Sequence, residues 1–307
     1  MVKPLPRIDG QGILDMHVHV GPEFLMRRYS PAALAEEARR QGFGVVMKNH
    51  FQPTTAWVAM VRRPDDKVPL IGSVALNLSV GGIDEHGVRG ALSGWKRDVG
   101  SVDPDPERFV VWMPTLCAEA HLHVMGRRDI PLDWGVAERY TRFFAANTGL
   151  QLRDGHGTVI SGLARALKTI ADHDLVLASG HLGKEDTILL ARLARTAGIK
   201  RLVLTHPLFQ STRLDSETLH MLWTEYGAYS ELAFVNLAMD HLTIPQYVEV
   251  IRAVGPEGCI LSSDLGQPFS PTVTEGMQQY FHDLEQGGIH PDDIARMAIV
   301  NPRRLLF

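Results

Sequence analysis

Eight short apolar runs, each followed by a helical pattern or a long excursion, constrain this chain more than any other feature of its 307 residues. They fall at residues 13–20, 44–50, 69–78, 109–117, 175–181, 201–206, 228–234 and 259–264. Rich in Val, Ile and Leu, they read as strands buried on both faces, the mark of a parallel sheet. The first crossover is well punctuated. Ser30 stands at an N-cap, Pro31 at the first helical position, AALAEEARRQ follows, and Gly42 stops the helix. Similar patterns predict helices over 158–171, 184–197, 215–226, 243–254 and 271–285, with Pro245 again just inside a start. Eight βα units in one chain predict a closed (β/α)8 TIM barrel, with residues 1–307 as one domain, because such barrels commonly take about 250 residues. The alternative is an open doubly wound sheet, but its G-x-G-x-x-G fingerprint after the first strand is missing.

Two connections exceed simple turns. Residues 79–108 are glycine-rich early and carry a short helix pattern around Trp95; residues 118–157 include Trp134 and an aromatic helix pattern near 140–144. Both follow strands, so a barrel carries them on the C-terminal face, as lid, specificity element or subunit contact. Composition narrows the function. Lys plus Arg number 31 against 35 Asp plus Glu, a net charge of −4, which offers no basic surface for nucleic acid. Two cysteines make no disulfide framework, and no apolar run reaches the roughly 18–20 residues that span a bilayer. The start, MVKPLPRIDGQG, has prolines where a signal peptide needs its apolar stretch, so the expectation is a cytoplasmic protein.

The chemistry concentrates at strand ends. In Asp15-Met16-His17-Val18-His19, alternate residues share a face, so His17 and His19 point together into the barrel and can share a metal ion at about 2.0–2.1 Å. Asp15 has the same parity one step deeper and is expected to orient a ligand. His181, His206 and Asp264 close the fifth, sixth and eighth runs, each a metal-competent side chain at the end where barrel chemistry happens. Strand two adds Lys48 and His50 on one face. A lysine inside a barrel is costly unless paired or modified. Lys48 is therefore either an ammonium paired with Asp264 or an anionic substrate, or a carbamate formed with carbon dioxide that bridges two cations.

The D-x-H-x-H of strand one, the histidines ending strands five and six, the aspartate ending strand eight and the closing Asn301-Pro302-Arg303-Arg304-Leu305-Leu306 resemble the amidohydrolase superfamily of metal-dependent barrels. The resemblance spans residues 13–306. More narrowly, GVVMKNHFQPT and GHLGKED are similar to a little-characterised bacterial branch. It implies that His17, His19 and Asp264 bind a first, more buried divalent metal, zinc before manganese, iron or cobalt. It implies that His181 and His206 bind a second ion in two-metal members. In one-metal members His181 completes the first site and His206 polarises the substrate or handles a proton. Asp264 is then the general base and acid for metal-activated water. The chain departs from the pattern on strand four, where the usual bridging lysine stands: 109–117 hold neither lysine nor carboxylate. Lys48 is the expected substitute, with Glu119 a weaker one.

Substrate contacts are expected from His50 near the barrel mouth, and from Arg27 and Arg28, which either clamp a carboxylate by paired hydrogen bonds or cap the next helix. Phe51, Trp57, Phe209 and Phe269 offer apolar walls or pack in the core. His121 and His123, in the loop after strand four, have no strand to hold them at a metal. The reading is a metal-dependent hydrolase of an amide, lactone or other C–N or C–O bond in a small molecule, working as a homo-oligomer. The alternatives are a one-metal decarboxylase or other lyase, a phosphoesterase, and an idle binding barrel.

Overall fold

A computed structural model describes residues 4–95, 108–126 and 149–307. Each apolar run contains a parallel strand: β1 (Leu14–His19), β2 (Gly44–Lys48), β3 (Leu70–Ile71 and Ser73–Ala75), β4 (Val110–Trp112), β5 (Val176–Ala178), β6 (Leu202–Leu204), β7 (Ala228–Ala233) and β8 (Cys259–Ser262). A small hairpin, Arg7–Ile8 with Gln11–Gly12, precedes them. β1 pairs with β2 and β2 with the first part of β3, while the second part continues through β4, β5, β6 and β7 to β8. β3 breaks at Gly72, where a Cβ would lie 2.6 Å from the Thr55 Cα. The circle is completed by the seam between β8 and β1: Asp264 N donates to His17 O at 2.8 Å and His19 N to Leu265 O at 2.7 Å, flanking a parallel bridge from Val18 to Leu265. The chain is a (β/α)8 barrel.

The helices begin and end where the residue chemistry says they should. α1 (Pro31–Gln41) has its Ser30 Oγ accepting from Ala33 N, and Gly42 closes it at φ 74°. α2 (Thr55–Val61) and α3 (Glu85–Ser93) follow β2 and β3, so the helix in the first excursion ends before Trp95 rather than surrounding it. α4 (Glu119–Met125) rises directly after β4, a segment expected to be a loop. Then come α5 (Ser161–Asp172), α6 (Lys184–Thr196), α7 (Ser216–Tyr226), α8 (Val235–Met239), α9 (Ile244–Val254) and α10 (Val273–Gln286), whose Thr272 and Glu275 form a reciprocal capping box. α11 (Pro291–Ala295) leads through a π-helical turn into α12 (Asn301–Leu306). Trp134 and the aromatic pattern near 140–144 lie outside the described residues. Among the described residues no helix is long and apolar enough to cross a membrane.

The apolar core fills the space between strands and helices; Phe43, Leu34, Val111, Ile170, Leu219 and Tyr280 are fully buried there. The terminal Asn301 has a structural task. Its Nδ2 donates to the carbonyls of Pro256 and Cys259, both at 2.7 Å, and so fixes the point where the chain enters β8. Asn301→Ala leaves those carbonyls without their donor and is expected to lower stability by about 1–3 kcal/mol. The check is the urea midpoint, which should fall without a change in slope.

Candidate metal centre

At the C-terminal mouth of the barrel six imidazoles form one continuous arc, in the order His50, His19, His17, His206, His181 and His121. Neighbouring ring centroids lie 4.6, 5.3, 5.9, 4.9 and 4.7 Å apart. All six are buried. They share a cavity of about 330 Å³ with Lys48 and Asp264, except that His17 lies beneath it.

One close group of donors is His17, His19 and Asp264. His17 Nε2 lies 3.1 Å and His19 Nε2 2.9 Å from the same oxygen, Asp264 Oδ1. Their donor atoms form a cluster fit for a metal ion. His17 owes its orientation to Glu231 on β7, whose Oε1 lies 3.1 Å from Nδ1. Burial would raise the Glu231 carboxyl, but His17 beside it and the Ser262 hydroxyl hold it down at about 2. Glu231 as a carboxylate can only accept, so His17 Nδ1 donates to it and Nε2 is turned toward Asp264 Oδ1. The 3.1 Å gap between Nε2 and Oδ1 suits a shared ring proton or a metal ion.

Lys48 supplies part of the answer. It is 0% exposed, its Nζ 2.8 Å from His17 Nε2 and 4.7 Å from the centroid of the Trp112 ring. Burial lowers its pKa to about 8, although Asp264 and Glu231 pull the other way. Trp112 on β4 packs its ring 5.4 Å from the His17 ring. Glu119 is turned elsewhere: its Oε2 accepts from Gly149 N, and it does not line the cavity.

Asp15 acts differently from the expectation. Its Oδ1 accepts from the backbone N–H groups of His17 and Ser263, at 3.1 and 3.0 Å, so it clasps the seam while Glu231 orients the imidazole. β1 is irregular in register between Asp15 and Val18, and this clasp sits at that irregularity. Gly266 crosses so close to His19 that a Cβ would lie 2.2 Å from its carbonyl oxygen, and it holds φ 130°. His206 and Asp264 themselves stand at φ 24° and 52°, a costly region for non-glycine residues that recurs where a side chain must be aimed.

Of the substrate candidates, Arg27 and His50 line the cavity. Arg27 Nε donates to Glu23, whose other oxygen accepts from His50 N at 2.9 Å. His50 Nδ1 is bonded to Thr115 Oγ1 at 2.9 Å, and Asn77 Nδ2 reaches both Thr115 Oγ1 and His50 O. Arg28 is outside the cavity, its guanidinium on the carbonyls of Pro268 and Ser270. Phe209 and Phe269 line the cavity, while Phe51 packs with Leu25, Leu116 and Cys117 and Trp57 against the main core. Cys117 and Cys259 are free and buried.

Glu231, Trp112, Asn77, Glu23 and Asp240 escaped sequence reasoning. Asp240 lines the cavity near Asn236, and burial, helped by Asp264, pushes it up to about 6. Of these, only Glu231 left a signal, a lone carboxylate inside the apolar run 228–234. His121 lies on a helix rather than in the expected loop. Helix α4 turns it inward and buries it with its Nδ1 3.0 Å from His181 Nδ1, while His123 faces outward.

Residues 12–231 match the model of a family of unknown function, DUF6282, and the chain belongs to that family. No curated protein matches it. Among solved structures, an amidohydrolase from Burkholderia multivorans is similar over 95% of this chain and 98% of its own, with 13% identity and a TM-score of 0.54, which supports the shared barrel fold. An N-acetyl-D-glucosamine-6-phosphate deacetylase from Mycobacterium smegmatis is 22% identical over 96% of this chain and 76% of its own, with a TM-score of 0.49. A 2,6-dihydroxybenzoate decarboxylase from Rhizobium is 11% identical over 96% and 98%, with a TM-score of 0.49.

The buried rings predict acid sensitivity in the metal-free protein. Burial is the first cause in each case: it holds His19, His50 and His181 well below the usual 6.5 and brings His121 and His206 to about 4. Because the folded values lie below the unfolded one, the unfolded chain takes up protons first as pH falls. The stabilising difference is intact above pH 6.5 and is lost below it, by up to about 1.4 kcal/mol per pH unit for each ring. Urea midpoints of chelator-treated protein should therefore stay nearly level from pH 7.5 to about 6.5 and fall from there to pH 5; a flat series throughout contradicts neutral buried imidazoles.

Proposed function

We propose that this protein is a metal-dependent hydrolase that cleaves an amide, lactone or other C–N or C–O bond of a small molecule. The observation that carries this reading is the convergence of two imidazole nitrogens and Lys48 on one carboxylate oxygen and its neighbourhood, inside a barrel mouth. The donor set, two nitrogens and an oxygen with a carboxylate behind one ring, suits zinc before manganese, iron or cobalt. A divalent cation held there supplies Lewis acidity and lowers the pKa of water toward about 7.

The chain's own residues do the rest. Glu231 keeps the His17 lone pair aimed at the site. Asp264 takes the proton of the attacking water at its carboxylate and returns it to the leaving group. His206, the ring between His17 and His181, would stabilise the oxygen that gains charge, and with His181 it could help to hold a second ion. Arg27, already oriented by Glu23, offers its remaining N–H groups to an anionic end of the substrate, beside His50. Lys48 is the bridge that strand four lacks. With its pKa near 8 it offers a neutral amine at mildly alkaline pH. Its nitrogen attacks the carbon of carbon dioxide and loses a proton, leaving a carbamate anion with two oxygens.

A second reading, a one-metal decarboxylase or other lyase, keeps the same geometry with Lys48 as an ammonium over the Trp112 ring. The two are separated by incubation with ¹³C-bicarbonate: a carbamate carbon signal that Lys48→Arg lacks supports hydrolysis, and its absence favours the lyase. Asp264→Asn should lower kcat on whichever aryl ester, lactone or N-acyl amino acid the wild type turns over, by about 10²–10⁴-fold. Metal uptake is the first test. Chelator-stripped protein that takes up neither Zn²⁺ nor Mn²⁺ refutes both readings.

A further inference from the structure

The six-ring arc has two ends, and the far end is better furnished than the family pattern requires. His181 and His206 follow β5 and β6, their centroids 4.9 Å apart. Beyond them stands His121, brought in by α4 directly after the strand that lacks the usual ligand. The Nδ1 atoms of His121 and His181 are 3.0 Å apart. Ligands on a tetrahedral zinc with bonds of about 2.0–2.1 Å stand about 3.3 Å from one another. The His121–His181 pair is thus close to the edge of a coordination tetrahedron. The first site shows the same kind of spacing, with nitrogen-to-oxygen edges of 3.1 and 2.9 Å. An apolar wall backs the group: Phe209 lies 5.8, 5.3 and 5.2 Å from the rings of His121, His181 and His206. The three nitrogen-bearing rings all open on the cavity.

We infer that His121 is a metal ligand which pairs with His181 to take up a second divalent ion, with the His206 ring beside them. This rests on the reading of the first site as a metal centre and deepens it. The helix that follows β4 thus brings a further ligand to the mouth, in addition to the bridging role proposed for Lys48. His123, two residues on and on the outer face of α4, has no part in the site.

The test is metal stoichiometry rather than turnover. Full-length protein is stripped with chelator, titrated with Zn²⁺ and then with Co²⁺, and read by elemental analysis and by the visible absorption of bound cobalt. Wild type and His123→Ala should each hold two ions per chain. His121→Ala should keep the first and bind the second about 100-fold or more weakly, since even loss of a group that only orients a ligand costs about 10–100-fold. His121→Asp, which can ligate, should recover the second ion and its own cobalt spectrum; His121→Asn, which can hydrogen-bond to His181 but ligates poorly, should not. An unchanged second affinity in His121→Ala, or recovery with His121→Asn alone, overturns the inference. A wild-type protein that holds one ion, lost in His17→Ala, overturns it too and leaves the first site standing. A wild-type protein that holds none overturns the first site as well.

Discussion

The seam between the first and last strands is the constraint on which the rest of the structure depends. It consists of few bonds: His17 O and Leu265 O accept across it, and Asp15 Oδ1 takes the backbone donors of His17 and Ser263 from both sides. Those bonds close the barrel, and in closing it they set His17, His19 and Asp264 side by side. Their donor atoms come together as a metal site would require, and no single strand can supply that. Two residues from β1 and one from the turn after β8 meet only because the sheet curls back on itself. The cost is visible in the backbone, where Asp264 adopts a positive φ and Gly266 passes within a side chain's reach of His19.

Glu231 shows how one buried charge organises its neighbours. It accepts from His17 Nδ1 and Ser262 Oγ, and lies near His206 N, so a carboxylate on β7 touches groups on β1, β6 and β8. An anion sealed among strands is tolerable only because those partners, and the cation or proton they imply, compensate it. The direction in which His17 turns its Nε2 is a consequence of that arrangement.

Much of this was legible in the sequence because the signals were periodic or terminal. Buried parallel strands leave unbroken apolar runs, and each run does hold its strand, so the barrel could be read. His17, His19, His181, His206 and Asp264 stand at the ends of those runs, so their convergence followed from the topology. Lys48 was visible as a charge where no charge belongs. What escaped was set by three-dimensional packing. Asp15 has the parity of a ligand but is captured by the backbone across the seam. His121 lies on a seven-residue helix whose direction depends on β4 beneath it, not on its own pattern. Asn77 fastens the ends of strands two, three and four through contacts 27 to 40 residues apart, which no local window contains.

Trp112 couples the residues beneath the mouth. One large ring packs against both His17 and Lys48, so a change at any of the three is felt by the other two. Replacing it alone with lysine sets two amines together over a vacated floor. Moving Lys48 away first strips the ring of its cation and His17 of its partner. Contacting residues of this kind change in combination rather than independently. Positions 48 and 112 are therefore tied to each other and to His17, and this part of the barrel mouth answers a substitution as one unit.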